Sequence, residues 1–434
     1  MTQSCDTVII GGGFAGVTAA RELSRAGQSV ILLEAKDRLG GRAWVSELGG
    51  VQIELGGGYV HWSQPHVWSE ITRYGLSLVE RPYYTSTNAM QRTRFLRNGA
   101  LQAAFTPEEA AEIKAAFTAY VAPAREVFPQ PFQPFTTDKV KDFDHLSARD
   151  RIDEMPLSDL ARDTLLRTAG MQCNNAADAG GYIEALRWYA LANCHDETYA
   201  ASVSRFTLAE GTKALLDAMV RDSNARIELS TTVERVAQQD CGVTVETSQG
   251  AVRAAHCIVA TGVNVWKGIE FAPALSPEKA ALSREELSGK GGKIYLRLKG
   301  RFEDSRWSAL GGAILSVLPH VIGEDASVVV AFTNPEHPME EVTLERLQAE
   351  VDRFGAGLEV LDFAFHDWVS DPHALGTWGN FRPNQFTRCF RQALQHEGRL
   401  HFASGDIAQG WRGFFDGAIE SGLRSARAVL AAGA

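Results

Sequence analysis

The sequence predicts an α/β fold of two interleaved domains, and three observations carry that reading. A strand, a glycine-rich turn, a helix and a second strand follow one another at the start of the chain. Apolar, strand-like segments return near residues 225–260 and again near 400–403. A mostly helical stretch and a separate group of strands lie between those returns, so the domain boundaries are discontinuous.

Taken in order, Thr7-Val8-Ile9-Ile10 is a β-branched run suited to a buried parallel strand. Gly11-Gly12-Gly13-Phe14-Ala15-Gly16 forms the turn, Val17 to Leu23 reads as the helix, and Gly27 is a natural helix stop. Ser29 to Leu33 is the second strand, closing at Glu34, which completes a Rossmann-like βαβ unit. Residues from about 85 to 200 read as mostly helical; Thr106-Pro107-Glu108-Glu109 opens one helix with a cap, a proline and first-turn acids. Ala225 to Val236, Gly242 to Glu246 and Cys257 to Ala260 are strand-like, and residues 293–299, 327–332 and 358–365 are the separate strands. Leu400 to Ala403 is a last strand, followed by Gly405-Asp406 and a terminal helix from about Phe415.

Composition narrows the function. The chain has 434 residues, 45% hydrophobic and 22% charged, an ordinary globular balance that allows two or three domains. Its formal charge of −10 argues against nucleic acid, whose phosphates need a basic face. No apolar run has the length of a membrane span, and no secretory signal is visible at the start. Cys5, Cys173, Cys194, Cys241, Cys257 and Cys389 form no CxxC pair, so neither a zinc site nor a disulfide framework is expected. They are read as reduced, in a cytoplasmic compartment.

The glycine turn carries chemistry. The first glycine makes the tight turn and the second lets backbone amides approach a pyrophosphate. The third lets helix and strand pack closely, while the helix N-terminus adds positive potential. Gly11, Gly13 and Gly16 hold those places, with Phe14 and Ala15 between the last two, and Glu34 stands where an acid holds a ribose hydroxyl pair. These residues alone predict dinucleotide binding without separating NAD from FAD. Asp37-Arg38-Leu39-Gly40-Gly41-Arg42 and then Glu54-Leu55-Gly56-Gly57-Gly58-Tyr59 supply that distinction. Their arginines can bridge pyrophosphate charge, their glycines allow close backbone passage, and together they resemble the second signature of FAD-containing oxidoreductases. At the other end, Gly410-Trp411-Arg412-Gly413-Phe414-Phe415-Asp416-Gly417-Ala418 leads into the last helix. Gly417, Ala418, Ser421 and Gly422 give that helix a small-residue face, fit for pressing against another backbone or a cofactor.

With these motifs in place, the chain resembles, nearly end to end, the flavin-dependent amine oxidases of the monoamine and polyamine oxidase type. Within that family it is similar to the bacterial nicotine-pathway branch, the pseudooxynicotine amine oxidases and nicotine oxidoreductases. Val60-His61-Trp62, Gln64-Pro65, Val67-Trp68, Glu70 and Tyr74-Gly75-Leu76 carry that closer likeness, and Arg187-Trp188, Gly376-Thr377-Trp378, Arg382-Pro383 and the block from Gly410 to Gly422 add to it. The resemblance implies a Rossmann-like FAD-binding domain interleaved with an α+β substrate domain, a mixed sheet roofed by helices. The FAD-binding domain would take residues 1–80, 206–280 and 385–434; the substrate domain would take 81–205, mostly helical, and 281–384, with the mixed sheet.

Residue by residue, the resemblance implies that Glu34 holds the adenosine ribose and Val233 the adenine through its backbone. Arg42 and Asp406 would run along the pyrophosphate and ribityl chain. Gly57, Gly58 and Tyr59 would line the cofactor, with Trp368 and Phe415 near the isoalloxazine. Lys293 matches the family lysine that reaches flavin N5 through a water and is the expected catalytic residue. Trp378 and Phe414 match the two faces of the aromatic cage, tyrosines in monoamine oxidases, and Trp188 lies near the substrate pocket. Thr377 precedes Trp378 where monoamine oxidases carry the tethering cysteine, so the FAD is expected to be non-covalent.

The implied reaction oxidises a C–N bond. A neutral amine gives a hydride from its adjacent carbon to flavin N5, and the resulting imine is hydrolysed to a carbonyl and an amine. Oxygen, yielding peroxide, or another acceptor reoxidises the flavin. The substrate expected is a secondary amine of the pseudooxynicotine or nicotine type. The competing readings are a polyamine or other alkylamine oxidase, a flavin C–C desaturase and a non-catalytic FAD-binding protein. Beyond the amine and the acceptor, the partner allowed for is a second copy of the chain; no metal, nucleic acid or membrane is expected.

Overall fold

Parallel strands that are buried on both faces favour apolar side chains, and the buried parts of the first two strands are apolar but for Thr7. On Gln3–Ile10 the last four residues are buried, and on Val30–Leu33 all four are. Each fully buried aliphatic side chain of this kind contributes roughly 1.5–3 kcal/mol against exposure. In the computed structural model, which describes residues 3–84, 93–97, 100–102, 105–303, 305–309, 311–355 and 357–433, these strands pair in parallel with Val8 opposite Ile31. On its other edge Gln3–Ile10 pairs in parallel with Gly250–Val259, Val8 lying opposite Cys257.

These strands are the centre of an eight-stranded sheet. Its path runs Glu270–Ala272, Val233–Gln239, Gly242–Thr247, Gly250–Val259, Gln3–Ile10, Val30–Leu33 and Arg226–Glu228, and Leu400–Phe402 adds in parallel to Gly250–Val259. The stretch read as one strand from Ala225 is broken by Ser230, which takes a left-handed φ of 53° and separates Arg226–Glu228 from Val233–Gln239. The helix Phe14–Arg25 crosses back over the sheet, and the terminal helix Phe415–Ala432 packs along it. Their contact is a backbone contact, because a Cβ on Gly422 would lie 2.4 Å from the Ala15 carbonyl oxygen and 2.8 Å from Thr18 Cβ. Of the small-residue face expected on the terminal helix, Gly422 is pressed against the fingerprint helix, Gly417 against Trp411 and Ala408, and Ala418 lines a cavity.

The second sheet has seven strands in the order Val360–Phe365, Lys293–Lys299, Ala326–Thr333, Ile314–Val321, Arg306–Ala309, Thr93–Arg97 and Ala100–Gln102. It is mixed: Arg306–Ala309 pairs in parallel with Thr93–Arg97 and the other neighbours are antiparallel. Lys293–Lys299 begins and ends where the sequence placed it. Ile314–Val321 was not anticipated, and Pro319 explains why: it falls where the pairing register slips, between Pro319 and Val321, the kind of place where a strand tolerates proline. The helix Leu344–Arg353 packs on this sheet, and Asp159–Cys173 reaches it through Arg167, which donates to Ser308 Oγ at 3.1 Å. Pro107–Val121, capped by Thr106 and Glu109 in a reciprocal capping box, and Tyr182–Leu191 share a core with the first sheet, and Asp196–Ser204 follows Tyr182–Leu191. Separate apolar clusters fill the space behind each sheet. Among the described residues no helix is long and apolar enough to cross a membrane.

Candidate active site

One cavity of about 720 Å³ runs from the strand ends of the first sheet to the inner face of the second. Its wall at the first sheet is built by the glycine turn. Gly11 takes a φ of +105°, and a Cβ there would lie 3.0 Å from the Ala260 carbonyl oxygen, so only glycine makes this turn. Gly13 is the N-cap of Phe14–Arg25 and no side chain caps that helix, which leaves its first amides facing the cavity. A Cβ on Gly16 would come within 2.0 Å of the Gly11 carbonyl oxygen, so Gly16 permits the turn from behind and does not line the cavity.

Glu34 is buried at the end of Val30–Leu33 and lines the cavity beside Thr231, Thr232 and Val233. One carboxylate oxygen accepts from Gly12 N at 2.6 Å and the other from Lys36 N at 2.9 Å. Gly57, Gly58 and Tyr59 continue the wall, and Gly57 makes room for Phe415, whose ring would stand 3.2 Å from a Cβ there. Phe415 also meets Phe14 edge to face at 4.9 Å. Arg42 lines the cavity, donating to Asp406 at 2.7 Å and to the Thr377 carbonyl. Asp406 itself is buried outside the lining; its other oxygen accepts from Val263 N at 3.0 Å, so it positions Arg42 instead of facing the cavity. An uncapped helix start, glycines without clearance for a side chain, a buried acid and an arginine along one trough fit the donors and acceptors of a flavin dinucleotide.

At the second sheet the chemistry changes. Lys293 opens the strand Lys293–Lys299 and its Nζ donates to the Gly56 carbonyl. Burial pulls its ammonium down to about 8, with Tyr59 and Glu54 opposing and Arg81 adding to the shift. Glu54 is held by Thr212 N and Oγ1 at 2.7 and 2.8 Å, yet burial still raises its carboxyl above the usual range. Trp378, Phe414 and Trp188 line this end of the cavity. Trp378 is fixed by its Nε1 donating to the Gln172 carbonyl at 2.8 Å. Gly413, at φ 84°, backs onto Trp378, so the turn delivers the next residue, Phe414, to the same end. Phe414 packs edge to face on Trp188 at 5.0 Å and on Trp411 at 5.4 Å. Trp368, buried in the cavity wall, donates its Nε1 to the Leu55 carbonyl at 3.1 Å.

The loop bearing Phe414 is held by ions whose bracing role the sequence does not show. Arg187 donates to the carbonyls of Ala408, Gln409 and Gly410, while Glu420 accepts from Gln409 N and Gly410 N at 2.8 and 2.7 Å. Arg412 pairs with Glu184 at 2.8 Å, both side chains essentially without exposure, and stacks over Phe381 at 3.9 Å. Asn174 was also missed: at the left-handed end of Asp159–Cys173 it donates to Thr377 Oγ1 at 2.8 Å. The local signal for Asn174 was an asparagine pair after a helical run, a usual helix stop. Nothing local marks Arg187, whose partners are more than 200 residues away.

This fold and this cavity define a flavin-dependent amine oxidoreductase. The chain belongs to the flavin-containing amine oxidoreductase family, whose model matches residues 14–430. It is similar to the pseudooxynicotine dehydrogenase of a Pseudomonas species, 36% identical over 96% of this chain and 84% of that protein. It is similar also to the nicotine dehydrogenase of Pseudomonas putida, 34% identical over 98% of this chain and 88% of the relative. Among solved structures, a redesigned triple mutant of putrescine oxidase shares the fold with a TM-score of 0.86 at 22% identity, covering 100% of both chains. Membership brings a flavin cofactor, a small-molecule amine and an electron acceptor.

Proposed function

We propose that this protein uses non-covalently bound FAD to oxidise a neutral secondary amine of the pseudooxynicotine or nicotine type. The observation that carries this reading is one continuous cavity joining the glycine turn and Glu34 to Lys293, Trp378, Phe414 and Trp188. The likeness to a pseudooxynicotine dehydrogenase and a nicotine dehydrogenase supports the substrate type. Thr377 at the position of a tethering cysteine, and the absence of any cysteine from the cavity lining among the described residues, support non-covalent attachment. All six cysteines are free, which suits a reducing cytoplasmic compartment.

The glycine turn and the first amides of Phe14–Arg25 bind pyrophosphate, Glu34 holds the ribose, and the Val233 backbone meets the adenine. Arg42, braced by Asp406, adds positive charge along the trough. A bound flavin supplies the acceptor for the two electrons and the hydrogen that leave the carbon beside the nitrogen. The chain's own part is orientation and dehydration. Trp378 and Phe414 hold the amine between two apolar faces, where loss of water disfavours the ammonium form and frees the nitrogen lone pair. Lys293 adds a like charge at the same end, which disfavours a protonated substrate further and favours the reactive neutral amine. Water then hydrolyses the released iminium to a carbonyl compound and a smaller amine, and oxygen or another acceptor takes the electrons on.

Anaerobic mixing of the FAD-loaded protein with pseudooxynicotine or nicotine tests this. The visible flavin absorbance is expected to bleach, with a saturating dependence on amine concentration. A flavin band unchanged by these and by a panel of alkylamines overturns the reading.

A further inference from the structure

Among the described residues, four lysines and arginines line the cavity, and three of them have evident tasks. Lys36 pairs with Asp371, Arg42 with Asp406, and Lys293 donates to the Gly56 carbonyl near Glu54. The fourth is Arg306, at the start of Arg306–Ala309. Its guanidinium meets Ser316 Oγ, through Nε at 2.9 Å, and the thioether of Met171, a weak acceptor. Among the described residues it has no carboxylate partner. Among the described residues that line the cavity, the one acid is Glu34, on the first sheet. Thr168, Met171, Leu318, Phe332 and Tyr199, all neutral, line the same cavity. A half-buried cation with spare donors beside an apolar space lacks its counterpart.

The sheet fixes where Arg306 stands. Lys293 lies opposite Phe332, Phe332 opposite Ser316, and Ser316 opposite Ser308, two residues from Arg306. Residues opposite one another, and residues two apart, share a face, so Lys293 and Arg306 project from the same side of the sheet. Three steps of about 4.8 Å put their strands roughly 14 Å apart.

We infer that Arg306 is the specificity-determining residue of the substrate pocket, donating to an oxygen acceptor, a carboxylate or a ketone, that the substrate carries remote from its nitrogen. This rests on the amine-oxidising reading above. The same guanidinium, with Lys293, turns away diamines, whose second ammonium meets positive charge at both ends of the pocket.

The test compares three matched secondary amines as anaerobic reductants: 5-(methylamino)pentanoate, pseudooxynicotine and N-methylpentylamine, which has no oxygen. The FAD-loaded wild type is expected to prefer an oxygen-bearing amine by roughly 10- to 100-fold in half-saturating concentration, the range of a charge-assisted hydrogen bond. In Arg306→Gln that ratio falls towards one, and Arg306→Lys recovers part of it. Preference for the pentanoate, for the ketone or for both names the acceptor. Arg306→Glu shifts the preference towards putrescine. A second measurement needs no turnover: pentanoate raises the melting temperature of the wild type and not of Arg306→Gln. Equal discrimination in wild type and Arg306→Gln, or no thermal response to pentanoate together with no preference among the amines, overturns the inference. Bleaching by none of the amines with an intact pentanoate response overturns the oxidase reading and leaves Arg306 as an anion reader.

Discussion

Replacing Gly422 with alanine puts the helix-on-helix contact behind the glycine turn to a quantitative test. The new methyl would stand 2.4 Å from the Ala15 carbonyl oxygen, whereas a carbon needs about 3.5 Å, so the helices have to part by about 1 Å. Overpacking of this sort costs roughly 1–3 kcal/mol. Alanine returns about 1 kcal/mol of helix propensity, which leaves a net loss of roughly 0–2 kcal/mol. Spread over a chain of this length, with an unfolding entropy of about 2 cal/mol/K per residue, that loss lowers the melting temperature by at most about 2 °C. The local effect is larger. Ala15 lies in the first turn of the helix whose amides face the cavity, and packed interiors pass such displacements on. Flavin content, read as the ratio of visible to protein absorbance after gel filtration, is expected to fall to less than half that of the wild type. A variant that keeps its flavin and melts at or above the wild-type temperature refutes the close-contact account.

Two further outcomes follow from the charges. A cation roughly 10 Å from the bound nitrogen, at an effective dielectric near 20, lowers the amine's pKa by about one unit. Lys293 is charged below its pKa of about 8, so Lys293→Met should move the acidic limb of the limiting flavin-reduction rate about one unit higher in pH, slowing reduction near neutrality. An acidic limb that stays in place shows that Lys293 does not act on the substrate nitrogen. Arg412→Met leaves the Glu184 carboxylate buried without its partner, at a cost of roughly 3–5 kcal/mol in denaturant unfolding, and adding Glu184→Leu should recover much of it. A single variant as stable as wild type means that the ion pair does not hold the loop.

The legible parts of this molecule were those whose cause is local. The turn from Gly11 to Gly16 is dictated by backbone clearances within a few residues, and Thr106 with Glu109 caps a helix by contacts three apart, so both were readable in the sequence. Lys293, Trp378 and Phe414 were placed by resemblance, and the structure brings all three to one cavity. The residues left unread act across the fold. Arg306 reaches the cavity only because four strands pair in a particular register. Asp406, expected along the cofactor, instead braces Arg42 across 364 positions of chain. Ile314–Val321 was obscured by Pro319, which becomes tolerable only at a register slip visible in the paired sheet.

The order of the first sheet has a consequence for synthesis. Its central strand, Gln3–Ile10, leaves the ribosome long before Leu400–Phe402 and the helix Phe415–Ala432 that completes the trough. Until that helix has emerged, the fingerprint helix lacks the partner that fixes it. Flavin therefore has no finished seat on the nascent polypeptide, and loading becomes a step that follows translation.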